Sequence, residues 1–496
     1  MSRRAERLAD GQALTAVRSR GLGLALALAL ALAGCASPGP DRSPIAARTP
    51  AGLGLSEPAG SPLPARWWTA WGDPQLDALV ERALADAPGI TLAQARVARA
   101  QALAEVRRAA AQPQLAFSAD VTRERYSENG LLSPVIAGQV RDTGDLRVTA
   151  SWSPDLYGQQ AVDLASALGQ ARAAQADASF AATTLAVQVA RGYVALAHLL
   201  AQRALAAEGL GLREQAAALV RQRVQAGLDS AVDLVPVEAG LPEARQQMQR
   251  LDEQVGLARS QLALLAGLAP QALDTLTPDL ARIAPPPLSA APGTDLLGRR
   301  ADIVAARWRV EAAVQDVTLA RLQFHPNLSL GAFVGLNSLG LGQLLRAGSL
   351  QAAVGPALRL PIFDGDRLRQ QLGARRADLD AAIAQYNATL LDAVREAADG
   401  LASTRALEAQ ARSQDEQLAR AREALTLARA RHAAGLGNRL AVLQAEWPLL
   451  AQRRQQAELR ARILDNQVLF VRALGGGWQD DQPALPPLAA APAPRP

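Results

Sequence analysis

The period with which apolar and polar residues alternate changes along the chain, and the same change occurs twice. Residues 75–111 and 296–324 place apolar side chains at helical spacing with charged residues between them. Each segment leads to a proline, Pro113 or Pro326, which the interior of a helix does not readily accommodate. Beyond each proline the period becomes two, which is the period of a half-buried β-strand. Each half is therefore predicted to contain a helix followed by β-structure.

Strict alternation indicates four strands, two in each half. The segments that join the members of each pair, 126–143 and 334–349, are rich in glycine, serine and asparagine, which favour turns. We therefore predict one β-hairpin over 114–157 and a second over 327–362. The apolar positions of the four strands are Leu115, Phe117, Ala119, Val121, Leu146, Val148, Ala150, Trp152, Leu328, Leu330, Ala332, Val354, Leu358 and Leu360.

A very long helical segment without proline follows each hairpin. Residues 159–226 and 366–434 would each extend roughly 100 Å as one continuous helix, at ~1.5 Å per residue. Each segment ends at an Ala-Gly-Leu turn, 226–228 or 434–436, after which the chain is expected to return as another helix. Alanine-rich helices of this length are typical of coiled-coil packing.

The recurrence of the whole pattern indicates a duplication. Residues 221–228, with the sequence RQRVQAGL, are echoed by RARHAAGL at 429–436, and other landmarks repeat at nearly the same distance. The predicted repeats span 67–270 and 294–478, and the proline-rich segment 271–293 connects them.

The strand lengths and their number have a geometric consequence. Strands of about ten residues can cross a bilayer when tilted, but open sheet edges are not tolerated in hydrocarbon. Membrane barrels begin at about eight strands, so the four strands of one chain cannot close a barrel, whereas three chains supply twelve. The sequence thus predicts a mainly α fold with a small membrane β part. Three copies would form a twelve-stranded β-barrel that continues into a long α-helical barrel in the periplasm.

Composition agrees with thin helical packing and argues against several other functions. Hydrophobic residues make up 49% of the chain, yet aromatic residues make up only 3%. All 52 basic residues are arginines, and they are spread along the chain against 47 acidic residues, so no basic face for nucleic acid is indicated. His198, His325 and His432 lie far apart in the sequence, and no hydrolase or phosphate-binding motif occurs. We predict neither an enzyme, nor a metal site, nor a nucleic-acid partner.

The N-terminus has the pattern of a secretory signal peptide over 1–34, with arginines before a short apolar run. Its end, Leu-Ala-Gly-Cys, looks like a bacterial lipobox, in which Cys35 would carry diacylglycerol and an N-acyl chain. An ordinary signal peptide with an incidental cysteine is the alternative. Residues 36–66 are then expected to form a flexible tether, and 479–496, which are rich in proline and alanine, a disordered tail. The three tryptophans that follow the tether, Trp67, Trp68 and Trp71, are expected to fix the chain entry onto the helices.

Several further motifs make the chain resemble the TolC-like outer-membrane efflux protein family, in its NodT-type lipoprotein branch. They are DPQL at 73–76, WSPDLYG at 152–158, DLLGRRADI at 295–303, FHPNLSL at 324–330, LPIFDG at 360–365 and ALGGGW at 473–478. The resemblance implies a homotrimer in the outer membrane that works with a periplasmic adaptor and an inner-membrane pump. The family usually has proline where Ala301 stands, which is a local difference.

The resemblance also implies roles for the helix–helix turns. The turns at Gly227-Leu228-Asp229 and Gly435-Leu436 are expected to dock into the adaptor, and plain turns are the alternative. Relatives often place aspartates where Ala441 and Gln444 stand, and these form acidic rings at the closed periplasmic mouth. Asp233, the counterpart of Ala441 in the first repeat, retains the carboxylate, and so does Asp229 nearby.

The function expected from these features is that of a passive trimeric conduit in a tripartite efflux pump, exporting small molecules or drugs from the periplasm. The outer-membrane component of a type I protein secretion system is one alternative. A periplasmic coiled-coil lipoprotein with a purely structural role is another. The alternating strands argue against that spacer, because it needs no lipid-compatible face.

Overall fold

The structure is a computed structural model, and it describes residue 38 and residues 43–49, 63–130, 135–286 and 299–478. The predicted signal peptide, Cys35 with its predicted lipid, most of the predicted tether and the predicted C-terminal tail lie outside the described residues.

The described part of the chain is mainly helical and contains one four-stranded sheet, as the sequence pattern predicts. A 3-10 helix at Trp67–Trp71 comes first. The elements that follow are α1 (Pro74–Asp86), α2 (Pro88–Ala110), β1 (Gln114–Arg125), β2 (Val140–Trp152), α3 (Gln159–Gln225), α4 (Ala231–Leu265), α5 (Ala301–Leu322), β3 (Asn327–Leu339), β4 (Leu350–Arg359), α6 (Arg367–Ala433) and α7 (Arg439–Ala473).

The first predicted helix is two helices, so the expectation of one continuous helix over 75–111 is wrong. Pro88 occupies the first turn of α2, where its missing N–H is tolerated. The proline also disfavours helical geometry at Ala87, and the backbone of Ala87 is extended, with φ −67° and ψ 130°. The break separates α1, which begins at the N-cap Asp73, from the longer α2.

The long helices are continuous, as predicted. Each of α3 and α6 has 67 residues, which corresponds to a length of roughly 100 Å. The returning helices α4 and α7 have 35 residues each, so they cover only part of the length of their partners. In the remaining part, α3 packs on α2 and α5, and α5 packs on α6.

The four strands form a single antiparallel sheet in the order β1-β2-β3-β4. The hairpin β1–β2 comes from the first repeat and β3–β4 from the second, so the β2–β3 pairing joins the two repeats. Trp152 in β2 lies opposite Leu330 in β3 at one end of this pairing, and Thr143 lies opposite Leu339 at the other. β1 and β4 are the edge strands of the sheet.

The largest buried cluster lies where α1 and the 3-10 helix pack on α3 and α7. Trp67 contacts Trp68 and Trp71 edge to face, with ring centroids 5.8 Å apart in both pairs, and all three side chains are buried. The hydroxyl of Tyr193 in α3 donates a hydrogen bond of 2.7 Å to the carboxylate of Asp73. The expectation that the tryptophans fix the chain entry onto the helices is confirmed.

Small residues allow the helices to approach each other closely. A Cβ at Gly169 in α3 would lie only 3.2 Å from the Cβ of Ala312 in α5. Most real Cβ contacts are longer than this, so glycine permits the observed separation of the two helices. Apolar side chains of α5 and α6 form a second cluster beside this contact, centred on Val310, Leu372 and Leu390.

A network around one buried arginine joins the start of α5, the helix α6 and the end of α7. Arg300, which precedes α5, donates hydrogen bonds of 2.8 Å to Asp302 and to Glu396 of α6. Glu396 also accepts a bond of 2.7 Å from Arg472 near the end of α7. The side chain of Arg300 is only 5% exposed. Its positive charge is therefore compensated by these two carboxylates rather than by water.

Arg300→Ala should therefore lower the stability of the protein substantially. Removing one member of a buried charge network costs about 3–5 kcal/mol, because the remaining charge is left uncompensated. Thermal unfolding followed by circular dichroism should show a lower Tm. Arg420→Ala is the control, since Arg420 forms an exposed pair with Glu423, and its Tm should change little. Equal unfolding temperatures for the two variants would contradict the structural role of Arg300.

Candidate functional site

The register of the sheet places the alternating apolar residues on one continuous face. Phe117 of β1 lies opposite Val148 of β2, Val148 opposite Val334 of β3, and Val334 opposite Ala352 of β4. Leu341 and Leu344 approach this face at Gly144, near one end of it, but most of its apolar side chains are exposed, and that of Val354 is 84% exposed. Such an apolar band is the surface that a membrane β-barrel presents to lipid.

The opposite face of the sheet carries polar and charged side chains. The guanidinium of Arg147 lies 4.6 Å from the ring centroid of Phe333, across the β2–β3 pairing. Arg147 also donates a 2.8 Å hydrogen bond to Asp145, which accepts a second bond of 3.0 Å from Asn337. The side chain of Asp120 is on the same face, opposite Asp145 in the register. This polarity fits a face turned towards water.

A large groove runs along the membrane-proximal part of the helices. Helices α2, α3, α5 and α6 are neighbours in that order, and residues from all four line one groove of about 1090 Å³. Packed helices have axes about 8–10 Å apart, so only the concave side of a curved layer can bring all four to one cavity. The groove is therefore the inner side of this layer.

Charged residues line the groove, and most of them are paired. The ion pairs are Arg107 with Asp163 at 3.5 Å, Arg309 with Asp177, and Arg375 with Asp378 at 3.2 Å. Burial raises the pKa of Asp177, although the neighbouring Arg309 opposes this change. Arg96 and Arg99 also line the groove, and within the described residues neither forms an ion pair. The sequence analysis missed this site, because its residues come together only through the order of the helices.

The two periplasmic turns have the same backbone geometry. Gly227 and Gly435 adopt left-handed conformations, with φ of 71° and 73°. The N–H of Leu228 donates to the carbonyl of Arg223 at 2.8 Å, and that of Leu436 to the carbonyl of Arg431 at 2.9 Å, as in a Schellman motif. The leucine side chains point outwards and are 69% and 73% exposed.

The two turns differ in charge. Asp229 receives two hydrogen bonds from the guanidinium of Arg223, at 2.7 and 2.8 Å. These bonds from Arg223 hold the pKa of Asp229 below its usual value. Gly437 occupies the corresponding position after Leu436, and its carbonyl lies 3.0 Å from the Nδ1 of His432. Asp229 therefore braces the first turn internally, while the leucine remains free for contact.

The three residues of the predicted gate region lie near the starts of the returning helices. Asp233 forms a capping box with Ser230 at the start of α4, with bonds of 2.7 and 3.0 Å to its carboxylate. The bonds from Ser230 lower the pKa of Asp233. Its counterpart Ala441 donates its N–H to Asn438 at 2.9 Å. Ala441 and Gln444 are exposed at a spacing of three residues in α7, so this helix surface carries no charge at these two positions.

Comparison with known proteins divides the chain into the same two repeats as the sequence pattern does. The family model described as outer membrane efflux protein matches residues 79–268 and 294–476. The chain belongs to this family. The two matched ranges confirm the duplication predicted from the sequence.

Similar proteins and structures agree with this assignment. A fusaric acid resistance protein of Burkholderia cepacia, FusA, is 39% identical over 69% of this chain and 67% of its own length. The multidrug resistance outer membrane protein MdtQ of Escherichia coli O6:H1 is 30% identical over 90% of this chain and 96% of its own. The outer membrane protein VceC of Vibrio cholerae superposes with a TM-score of 0.76 at 32% identity, covering 84% of this chain and 99% of its own.

The chain is thus an outer-membrane efflux channel component with a TolC-like fold. It is located in the outer membrane and extends into the periplasm. The efflux function predicted from the sequence is confirmed in this form, and the alternative of a purely structural periplasmic spacer is not supported.

Proposed function

We propose that three copies of the chain form a passive conduit across the outer membrane, with the apolar faces of their sheets towards lipid. The observation that carries this proposal is the continuous apolar face of a sheet whose edge strands, β1 and β4, each have one neighbour within the chain. Unpaired strand edges are not tolerated in hydrocarbon, so β4 of one copy has to pair with β1 of the next. Three copies make a closed barrel of twelve strands.

The oligomeric state tests this proposal directly. Mass measurement of the full chain in a mild detergent is expected to give three copies per particle. A disulfide between a cysteine introduced in β1 and one introduced in β4 should then link neighbouring copies. A monodisperse monomer in which all four strands are ordered would refute the proposed barrel.

We further propose that the conduit is one part of a tripartite system with a periplasmic adaptor and an inner-membrane pump. The exposed leucines at the two turns support this, because they offer an adaptor an apolar contact at the far end of the helices. The names of the relatives, which refer to multidrug and fusaric acid resistance, support small organic compounds as cargo. Restored resistance in a strain that lacks its own outer-membrane channel, and retains adaptor and pump, would test this.

We also propose that Cys35 carries the lipid anchor, with diacylglycerol on its sulfur and an acyl chain on its amino group. Cys35 is the single cysteine of the chain, so Cys35→Ala should abolish incorporation of radioactive palmitate. Barrel closure is an independent source of membrane affinity, and the variant is therefore expected to remain in the outer-membrane fraction. Palmitate label on the variant would contradict the lipobox assignment.

A further inference from the structure

Two arginines in the groove of the helical layer are available for a ligand. Arg96 and Arg99 project from α2 one turn apart, both side chains are exposed, and both line the groove. Their spacing of three residues places them on the same side of the helix. Neither forms an ion pair within the described residues, in contrast to Arg107, Arg309 and Arg375.

The carboxylates of the groove cancel this charge only in part: Arg96 interacts electrostatically with Asp177, but that carboxylate is already paired with Arg309. Asp163, Asp177 and Asp378 are each paired with a different arginine, and Asp316 accepts a 2.6 Å hydrogen bond from the hydroxyl of Ser166. Five arginines and four aspartates line the groove, so each chain contributes a net charge of 5 − 4 = +1 there. The unpaired part of that charge is concentrated on α2.

Apolar side chains lie beside the two guanidiniums. Leu103 follows Arg99 by one helical turn, lines the groove and is 48% exposed. Leu319 of α5 lines the same groove. The groove volume of about 1090 Å³ is slightly larger than the ~300–1,000 Å³ typical of small-molecule pockets. The groove thus combines two charged hydrogen-bond donors, apolar walls and sufficient space.

We propose that this groove is a cargo-binding site for small amphiphilic organic anions, which Arg96 and Arg99 bind by their carboxylate. This inference rests on the proposed trimeric conduit, in which the concave side of the helical layer faces the lumen. The carboxylate of the ligand receives charge-assisted hydrogen bonds from the two guanidiniums. Its hydrocarbon part lies along Leu103 and Leu319. Anions passing from the periplasm are therefore retained at the entry to the β-barrel.

Current block in planar lipid bilayers tests the site without adaptor or pump. Octanoate is the anionic probe and octyltrimethylammonium is its cationic counterpart of similar length. Octanoate should reduce the current through the purified full-length trimer more strongly than the cation does. In Arg96→Gln with Arg99→Gln, the octanoate concentration for half block should rise about tenfold or more, because hydrogen bonds to charged groups are lost.

Two further variants separate the site from a general effect of charge. Arg66→Gln with Arg82→Gln removes two exposed arginines that pair with Glu81 and Asp86 and do not line the groove. This control should keep the octanoate block of the natural protein. Replacing Arg96 and Arg99 by lysine keeps the charge and should retain most of the block.

Three results would overturn the proposal. They are an unchanged octanoate block in the glutamine variant, an equal loss in the control variant, and failure of the glutamine variant to assemble. The last result would assign Arg96 and Arg99 to a contact between subunits. A natural protein that forms no conducting trimer would refute the conduit itself, whereas a conducting trimer without selective block would refute only the anion site.

Discussion

Val354→Arg should prevent the chain from inserting into the outer membrane. The Val354 side chain lies in the middle of β4 on the apolar face and is 84% exposed in the single chain. An arginine on the lipid face of a barrel near the bilayer midplane costs about 2–4 kcal/mol, and a trimer would contain three. Fractionation of the membranes and a blot for the proposed trimer would measure the loss.

Ala353→Arg is the matched control, because neighbouring residues of a strand point to opposite faces. Ala353 lies opposite Phe333 in the register, on the face that carries Arg147. An arginine there would project into water, so insertion and trimer yield should stay close to those of the natural protein. Equal loss in both variants would show that β4 does not have one face in lipid.

Leu228→Asp together with Leu436→Asp should abolish efflux while the trimer and its membrane insertion persist. Both leucines are exposed at the periplasmic turns, and burying each against a partner is worth roughly 1.5–3 kcal/mol. Six turns are present in a trimer, so the losses would accumulate over one assembly. Drug susceptibility, measured beside a blot for the trimer, checks both parts of this expectation.

Leu264→Asp provides the control for the turn variant. Leu264 is also an exposed leucine, but it lies near the end of α4, about 50 Å from the turn at 1.5 Å per residue. Its replacement should leave efflux intact. Full efflux in the double variant would leave Leu228 and Leu436 as ordinary turn residues. Loss of the trimer would instead show that the leucines stabilise the assembly.

The parts of the fold that depend on local pattern could be predicted from the sequence. Alternation is strict over residues 117–122 of β1 and 146–152 of β2, and because side chains in strands have a period of two, it fixes which residues share a face. The absence of proline from α3 and α6 likewise predicts continuous helices. The break before α2 was missed even though Pro88 is visible in the sequence, because the apolar spacing on both sides of it is helical.

The groove could not be predicted in the same way. Arg96 and Asp177 are far apart in the sequence and belong to different helices, and their proximity follows from the packing order of α2, α3, α5 and α6. The ion-pair partner of Asp229 could not be predicted from the sequence either, although it is only six residues away. Its pairing with Arg223 depends on the left-handed backbone at Gly227, which turns the chain back towards α3.

The β2–β3 pairing within one chain also affects how the barrel assembles. A single repeat contributes one hairpin, so a twelve-stranded ring built from separate repeats would require six molecules to meet. The two repeats are fused, and their strands β2 and β3 already pair within one chain. Half of the pairings between hairpins in the proposed ring therefore form within a molecule, where linked segments have a high effective concentration. For the proposed trimer, the number of molecules that have to meet falls from six to three. Closure of the proposed ring is therefore less sensitive to protein concentration, and strand edges remain unpaired for a shorter time before the ring closes.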